Sequence, residues 1–114
     1  MGNNVVHFEI GCQDSPATQK FYTSLFDWKV SPMGPAAMID TGEGGIGGHI
    51  TALGHEPHQY LTFYVEVEDL AAALKKAEEL GGKTVIPPTQ IPTGSFAWFS
   101  DPGGNVVGLW KPAS

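Results

Sequence analysis

The side chains able to do chemistry in this 114-residue chain are few: four histidines, twelve carboxylates and one cysteine. Arginine is absent, because all six basic residues are lysines. His7 and Glu9 stand two apart in the strand-like run Val6-His7-Phe8-Glu9-Ile10, so alternation aims an imidazole and a carboxylate at one face and the apolar side chains at the other. The same alternation in the run from Tyr60 to Val67 sets Thr62, Tyr64 and Glu66 against Phe63, Val65 and Val67. Two carboxylates such as Glu9 and Glu66, brought together, could split their pKa values and leave one as a general base. His55 and His58 flank Glu56-Pro57 in a polar stretch that reads as solvated loop. Cys12 has no basic neighbour to lower its pKa and reads as a buried structural thiol. The glycine-rich run from Gly42 to Gly48 lacks the Lys-Ser/Thr of a phosphate loop and enters a strand, so it reads as a hairpin turn with close backbone approach.

The elements that must position these residues are short. Val5 to Ile10 is a strand, followed by a helix capped at Asp14 or Ser15 with Pro16 in its first turn. Ala17, Phe21, Leu25, Tyr22 and Phe26 form its apolar stripe, and it ends near Asp27. Trp28 to Val30 starts a strand, Ser31 to Pro35 is a turn, and Ala36 to Asp40 and Ile46 to Thr51 are strands. After a linker at 54–59 the order repeats. Tyr60 to Val67 is a strand, and Asp69 caps a helix with Leu70, Ala73, Leu74, Ala77 and Leu80 on one face, closed by Gly81-Gly82. Lys83 to Ile86, Phe96 to Ser100 and Val106 to Trp110 are strands, the last two joined by the turn Asp101 to Asn105. The fold class expected is α+β, as two βαβββ modules, 1–53 and 60–114, in one domain of 1–114.

Bulk properties exclude several roles. The net charge of −6 leaves no basic patch for nucleic acid. A single cysteine excludes an internal disulfide and a cysteine-based zinc site. No signal peptide and no apolar run of about 18 residues is visible, so a cytoplasmic protein without a membrane partner is expected.

Several of these segments together carry a family likeness. The opening Val6-His7-Phe8-Glu9-Ile10, the helix Phe21-Tyr22-Thr23-Ser24-Leu25-Phe26-Asp27-Trp28, the runs Gly44 to Gly48 and Pro87 to Pro92, and the hairpin Asp101-Pro102-Gly103-Gly104-Asn105 resemble the vicinal oxygen chelate (glyoxalase/bleomycin-resistance/dioxygenase) superfamily. The resemblance implies paired modules whose mixed sheets form an open, cupped cleft with helices packed outside. His7, Glu9, Thr62, Tyr64 and Glu66 would face that cleft with Val106, Gly108 and Trp110, while Phe8, Phe21, Phe26 and Phe63 would fill the helix–sheet core. It also implies a homodimer.

Metal-dependent relatives of this kind take four ligands, one from the first and one from the last strand of each module. Carried over, these fall at His7, at Gly48 or His49, at Thr62 and at Gly108. His49 is preferred because His49-Ile50 repeats the polar-then-apolar pattern. Thr62 is a poor ligand and Gly108 is none, so His7 and His49 alone would hold a divalent Ni, Zn, Mn or Fe ion unless Glu9, Glu66 or a second chain completed the set. Three readings follow. One is a metal-independent small-molecule binding protein with contacts from His7, His49, Thr62, Tyr64, Trp98 and Trp110, of which a bleomycin-type drug-binding protein is one instance. Another is a metal-assisted lyase, isomerase or dioxygenase with Glu9 or Glu66 shuttling a proton. The last is an interaction module without a ligand.

Overall fold

A computed structural model describes residues 2–33, 36–52 and 59–113. The chain is α+β, and the order strand–helix–three strands occurs twice. The elements are β1 (Val5–Gly11), α1 (Ser15–Phe26), β2 (Lys29–Met33), β3 (Ala36–Asp40) and β4 (Gly48–Thr51), then β5 (Tyr60–Glu66), α2 (Leu70–Glu79), β6 (Lys83–Ile91), β7 (Gly94–Ser100) and β8 (Val106–Pro112). Contacts group them into two compact units, His7–Thr62 and Met1–Val6 with Phe63–Ser114. No helix among the described residues is long and apolar enough to cross a membrane. His55 and His58, with the linker around them, lie outside the described residues.

In the unit His7–Thr62 the strands run in the order β2-β3-β4-β1. β1 and β4 are parallel, with Phe8 opposite Gly48, Glu9 opposite His49 and Ile10 opposite Ile50; the β2–β3 and β3–β4 pairs are antiparallel. Alternation sends Ile10, Ile39 and Ile50 into one core with Cys12, and Phe8, Tyr22 and Trp28 pack against it. α1 starts where the Asp14 carboxylate accepts the Ala17 N–H and stops where Asp27 turns left-handed at φ 59°.

The rotation of α1 departs from expectation. Its apolar stripe was expected in the core, yet Phe21 is 59%, Leu25 58% and Phe26 52% exposed. The half-covered face is instead Ser15, Thr18, Gln19, Tyr22 and Thr23. Tyr22 lies parallel to Trp28 with ring centroids 5.6 Å apart, and that aromatic stack sets which side of the helix turns inward. The polar inward side chains bond locally, Gln19 to the Ser15 hydroxyl and Thr18 to the Asp14 carbonyl.

In the other unit the order is β5-β8-β7-β6, with β5 and β8 parallel. Leu70, Leu74, Ala97 and Leu109 form its core, and Val65, Val67, Ala73 and Phe99 pack against it. Phe63 was expected on this apolar side but is 42% exposed and does not join the core, whose strand contacts begin at Val65. Leu80, expected as the last apolar position of α2, is its C-cap and is 71% exposed. Two strands outrun their expected ends. β6 continues through Pro87-Pro88 with register shifts at Thr84/Ile86 and Ile86/Thr89, and β2 takes in Ser31 and Pro32, expected as a turn. Each stands last in its unit's strand order, where a proline with no N–H removes no ladder bond on the outer side.

Candidate functional site

The face of β1 opposite the core carries His7 and Glu9. Register decides which β4 residue joins them. A Cβ at Gly48 would fall 2.5 Å from the Phe8 carbonyl oxygen and 2.6 Å from its ring, so position 48 points toward the apolar side and admits only glycine. His49, next along and opposite Glu9, takes the other face.

The three side chains are joined to a fourth in one bonded series within the unit His7–Thr62. His7 Nε2 lies 2.7 Å from His49 Nδ1, and His49 Nε2 lies 3.3 Å from Glu9 Oε1. The Tyr60 hydroxyl donates to Glu9 Oε2 in a short contact. Glu9 is only 6% exposed, so a carboxylate there depends on such donors in place of water.

Proton positions follow from the partners. Burial first, and then the bond to Glu9, raises the Tyr60 pKa far above its ordinary value, so the phenol keeps its proton and donates it. Burial, and then the neighbouring His49, lowers the His7 pKa to about 4 against the opposing pull of Glu9, so His7 is neutral near pH 7. In the tautomer that presents the His49 Nε2–H to Glu9, His49 accepts at Nδ1 and His7 donates from Nε2. The series reads Tyr60 to Glu9, His49 to Glu9, and His7 to His49. It is a connected hydrogen-bonding group centred on Glu9.

The other residues singled out from the sequence lie elsewhere. Thr62 is buried and belongs to the same unit. Tyr64, Trp98, Trp110 and Glu66 belong to the other unit. There Trp98 Nε1 donates to the Tyr64 hydroxyl at 2.9 Å, and both side chains are buried. Trp110 is half-buried, its ring beside the place a Cβ on Gly94 would take. Glu66 is exposed, its backbone held by Asn3 and Asn4. A groove of about 480 Å³ in that unit lies at the start of α2, bounded by Asp69, Leu70, Pro88, Thr89, Ser95 and Lys111, and includes none of these residues. Tyr60 was missed in the sequence. Its signal was present, because it precedes Thr62 by two positions and shares the alternation of Thr62, Tyr64 and Glu66.

These residues do not fit the four-ligand metal arrangement. Among the described residues no group of three or more His, Cys, Asp or Glu is arranged to hold an ion. The reason is visible in the series: His7 Nε2 faces His49 Nδ1, and the other nitrogen of His49 faces Glu9, so the donor atoms point along a line and not at a shared centre. At position 108 no side chain is possible, since the Tyr64 ring occupies the space a Cβ would enter.

Comparison with known proteins agrees with the fold. A sequence model of the Glyoxalase/Bleomycin resistance protein/Dioxygenase superfamily matches residues 4–109. Anthracycline biosynthesis protein DnrV of Streptomyces peucetius is 26% identical over 129 residues, covering 91% of this chain and 45% of that protein. Putative glyoxylase CFP32 of Mycobacterium tuberculosis is 30% identical over 113 residues, covering 86% of this chain and 41% of that protein. The chain thus spans less than half the length of either. The crystal structure of methylmalonyl-CoA epimerase from Mycobacterium tuberculosis superposes with a TM-score of 0.73 at 14% identity, covering 96% of this chain and 88% of that one, a likeness of fold.

Proposed function

We infer that this chain, which belongs to the Glyoxalase/Bleomycin resistance protein/Dioxygenase superfamily, is a glyoxalase-like small-molecule binding protein that holds its ligand by hydrogen bonds at His7, Glu9, His49 and Tyr60, with no divalent ion as intermediary. The observation that carries this reading is the bonded series itself. It gathers two imidazoles, a buried carboxylate and a phenol on one face of one unit, the kind of closely placed polar group that orients a small ligand.

The electrostatics select the ligand class. A buried carboxylate, a neutral His7 and the lack of arginine disfavour an anion at this series. The ligand is accordingly a neutral or cationic organic molecule bearing hydroxyl or amine groups. The relative DnrV, named for anthracycline biosynthesis, is compatible with that class.

The test is a thermal-shift screen of neutral, cationic and anionic metabolites, run in EDTA. A ligand at about 100 times its Kd stabilises the folded state by about 2.7 kcal/mol, which a melting curve resolves. Neutral or cationic binders are expected to raise Tm in EDTA and to lose that effect in His49→Ala and Glu9→Gln. Stoichiometric Ni, Zn, Mn or Fe in the purified protein, with ligand shifts abolished by EDTA, would replace this reading with a metal-assisted enzyme.

A further inference from the structure

The groove at the start of α2 has a construction of its own. On the face of β7 and β8 that α2 covers, alternation runs from the buried Ala97 and Leu109 to Ser95 and Lys111. α2 begins at Leu70, and at its start the sheet changes from apolar to polar. Strand pairing sets three side chains in a row there, Gln90 opposite Ser95 and Ser95 opposite Lys111. The row spreads an amide, a hydroxyl and an ammonium over about 10 Å, two strand spacings. β6 reaches this register only after two irregularities between Thr84 and Thr89, and such irregularities re-aim the side chains of a strand. Gly94 lets β7 close on β8 beside the row, since a Cβ there would fall 2.3 Å from the Lys111 carbonyl oxygen.

Carboxylates line the same groove. Glu68 and Asp69 lead into α2 and border it together with Leu70. Asp69 Oδ1 accepts the Ala72 N–H, and the positive end of the helix offsets its charge, so Glu68 is the stronger attraction for a cation. Among the described residues, the side chains of Glu68, Gln90, Ser95 and Lys111 make no hydrogen bond or ion pair. Neither carboxylate comes within 4.0 Å of the Lys111 ammonium, so opposite charges share the groove with an open gap between them.

An anion alone would be repelled by Glu68 and Asp69, and a cation alone by Lys111. A molecule carrying both charges answers both. We propose that this groove is a binding site for a small zwitterion of amino-acid or dipeptide size, its ammonium toward Glu68 and its carboxylate on Lys111, Ser95 and Gln90. The volume of about 480 Å³ accommodates such a molecule, and Leu70 and Pro88 offer its side chain an apolar contact. The Thr89 hydroxyl stays outside the binding set, because it donates to the Pro87 carbonyl. The groove lies within the unit Phe63–Ser114 and uses none of His7, Glu9, His49 and Tyr60, so this ligand is additional to the one inferred for that series.

Titration of the full chain, followed by amide proton and nitrogen chemical shifts, tests the proposal with glycine, L-alanine, L-serine and dialanine as probes. With at least one of them the amides of Leu70, Ser95 and Lys111 should shift together and saturate, with Kd at or below about 1 mM. Acetate and methylammonium each carry one of the two charges and should bind more weakly by roughly tenfold or more. Lys111→Met keeps the aliphatic stem without the charge, and Glu68→Gln keeps the shape; each should weaken binding by roughly tenfold or more. Both positions are exposed, so the spectrum away from the groove should stay that of the wild type. Lys75→Met, exposed elsewhere on α2, should leave binding unchanged. Three results would overturn the proposal: no saturable shift up to about 20 mM of any probe, acetate or methylammonium binding as tightly as the zwitterions, or Lys111→Met binding like the wild type.

Discussion

Replacing His7 with glutamine separates the electrostatics of the site from its packing. Gln Nε2 reaches the position of His7 Nε2, so donation to His49 Nδ1 survives while the titratable group is lost. In the wild type the His7 pKa falls from 6.5 to about 4 on folding, chiefly through burial. Between those values the unfolded chain binds a proton that the folded chain does not, so stability falls as pH drops through this window and falls no further below it. At 1.36 kcal/mol per unit the lowering bounds the effect at about 3 kcal/mol. The ring is partly open to water, and screening reduces this to about 1–2 kcal/mol. Urea unfolding of both proteins at pH 7 and near pH 4.5 measures the difference. His7→Gln should lose less stability on acidification than the wild type by that amount. Parallel pH dependence in the two proteins, or a His7 ring resonance titrating near 6.5, would refute the burial argument and with it the neutral imidazole at the head of the series.

Two further substitutions test the surroundings. Tyr60→Phe removes a hydroxyl donor from the buried Glu9 and should cost about 1.5–3 kcal/mol near pH 7 by urea denaturation; an unchanged midpoint would show that Glu9 does not depend on that donor. Gly108→Ala drives a methyl group into the Tyr64 ring and should cost about 1–3 kcal/mol, whereas Gly103→Ala, which meets nothing nearer than an ordinary contact at 3.4 Å, should cost little.

The sequence by itself determined the element types and much of their chemistry. Asp14 and Asp69 each cap a helix, because a carboxylate two or three residues before the first free N–H groups bonds them whatever the tertiary surroundings. Alternation placed His7 and Glu9 away from Phe8 and Ile10, because side-chain direction along a strand has a period of two that no packing changes. Tertiary structure decided what depends on partners distant in the chain. The choice of His49 over Gly48 was settled by the parallel register with β1 and the Phe8 ring. Tyr60 joined Glu9 across a separation of 51 residues. The Tyr22–Trp28 stack turned α1 so that its apolar stripe faces outward, against its periodicity. Local rules fix which way a side chain can point, but only the packed neighbour fixes what it meets there.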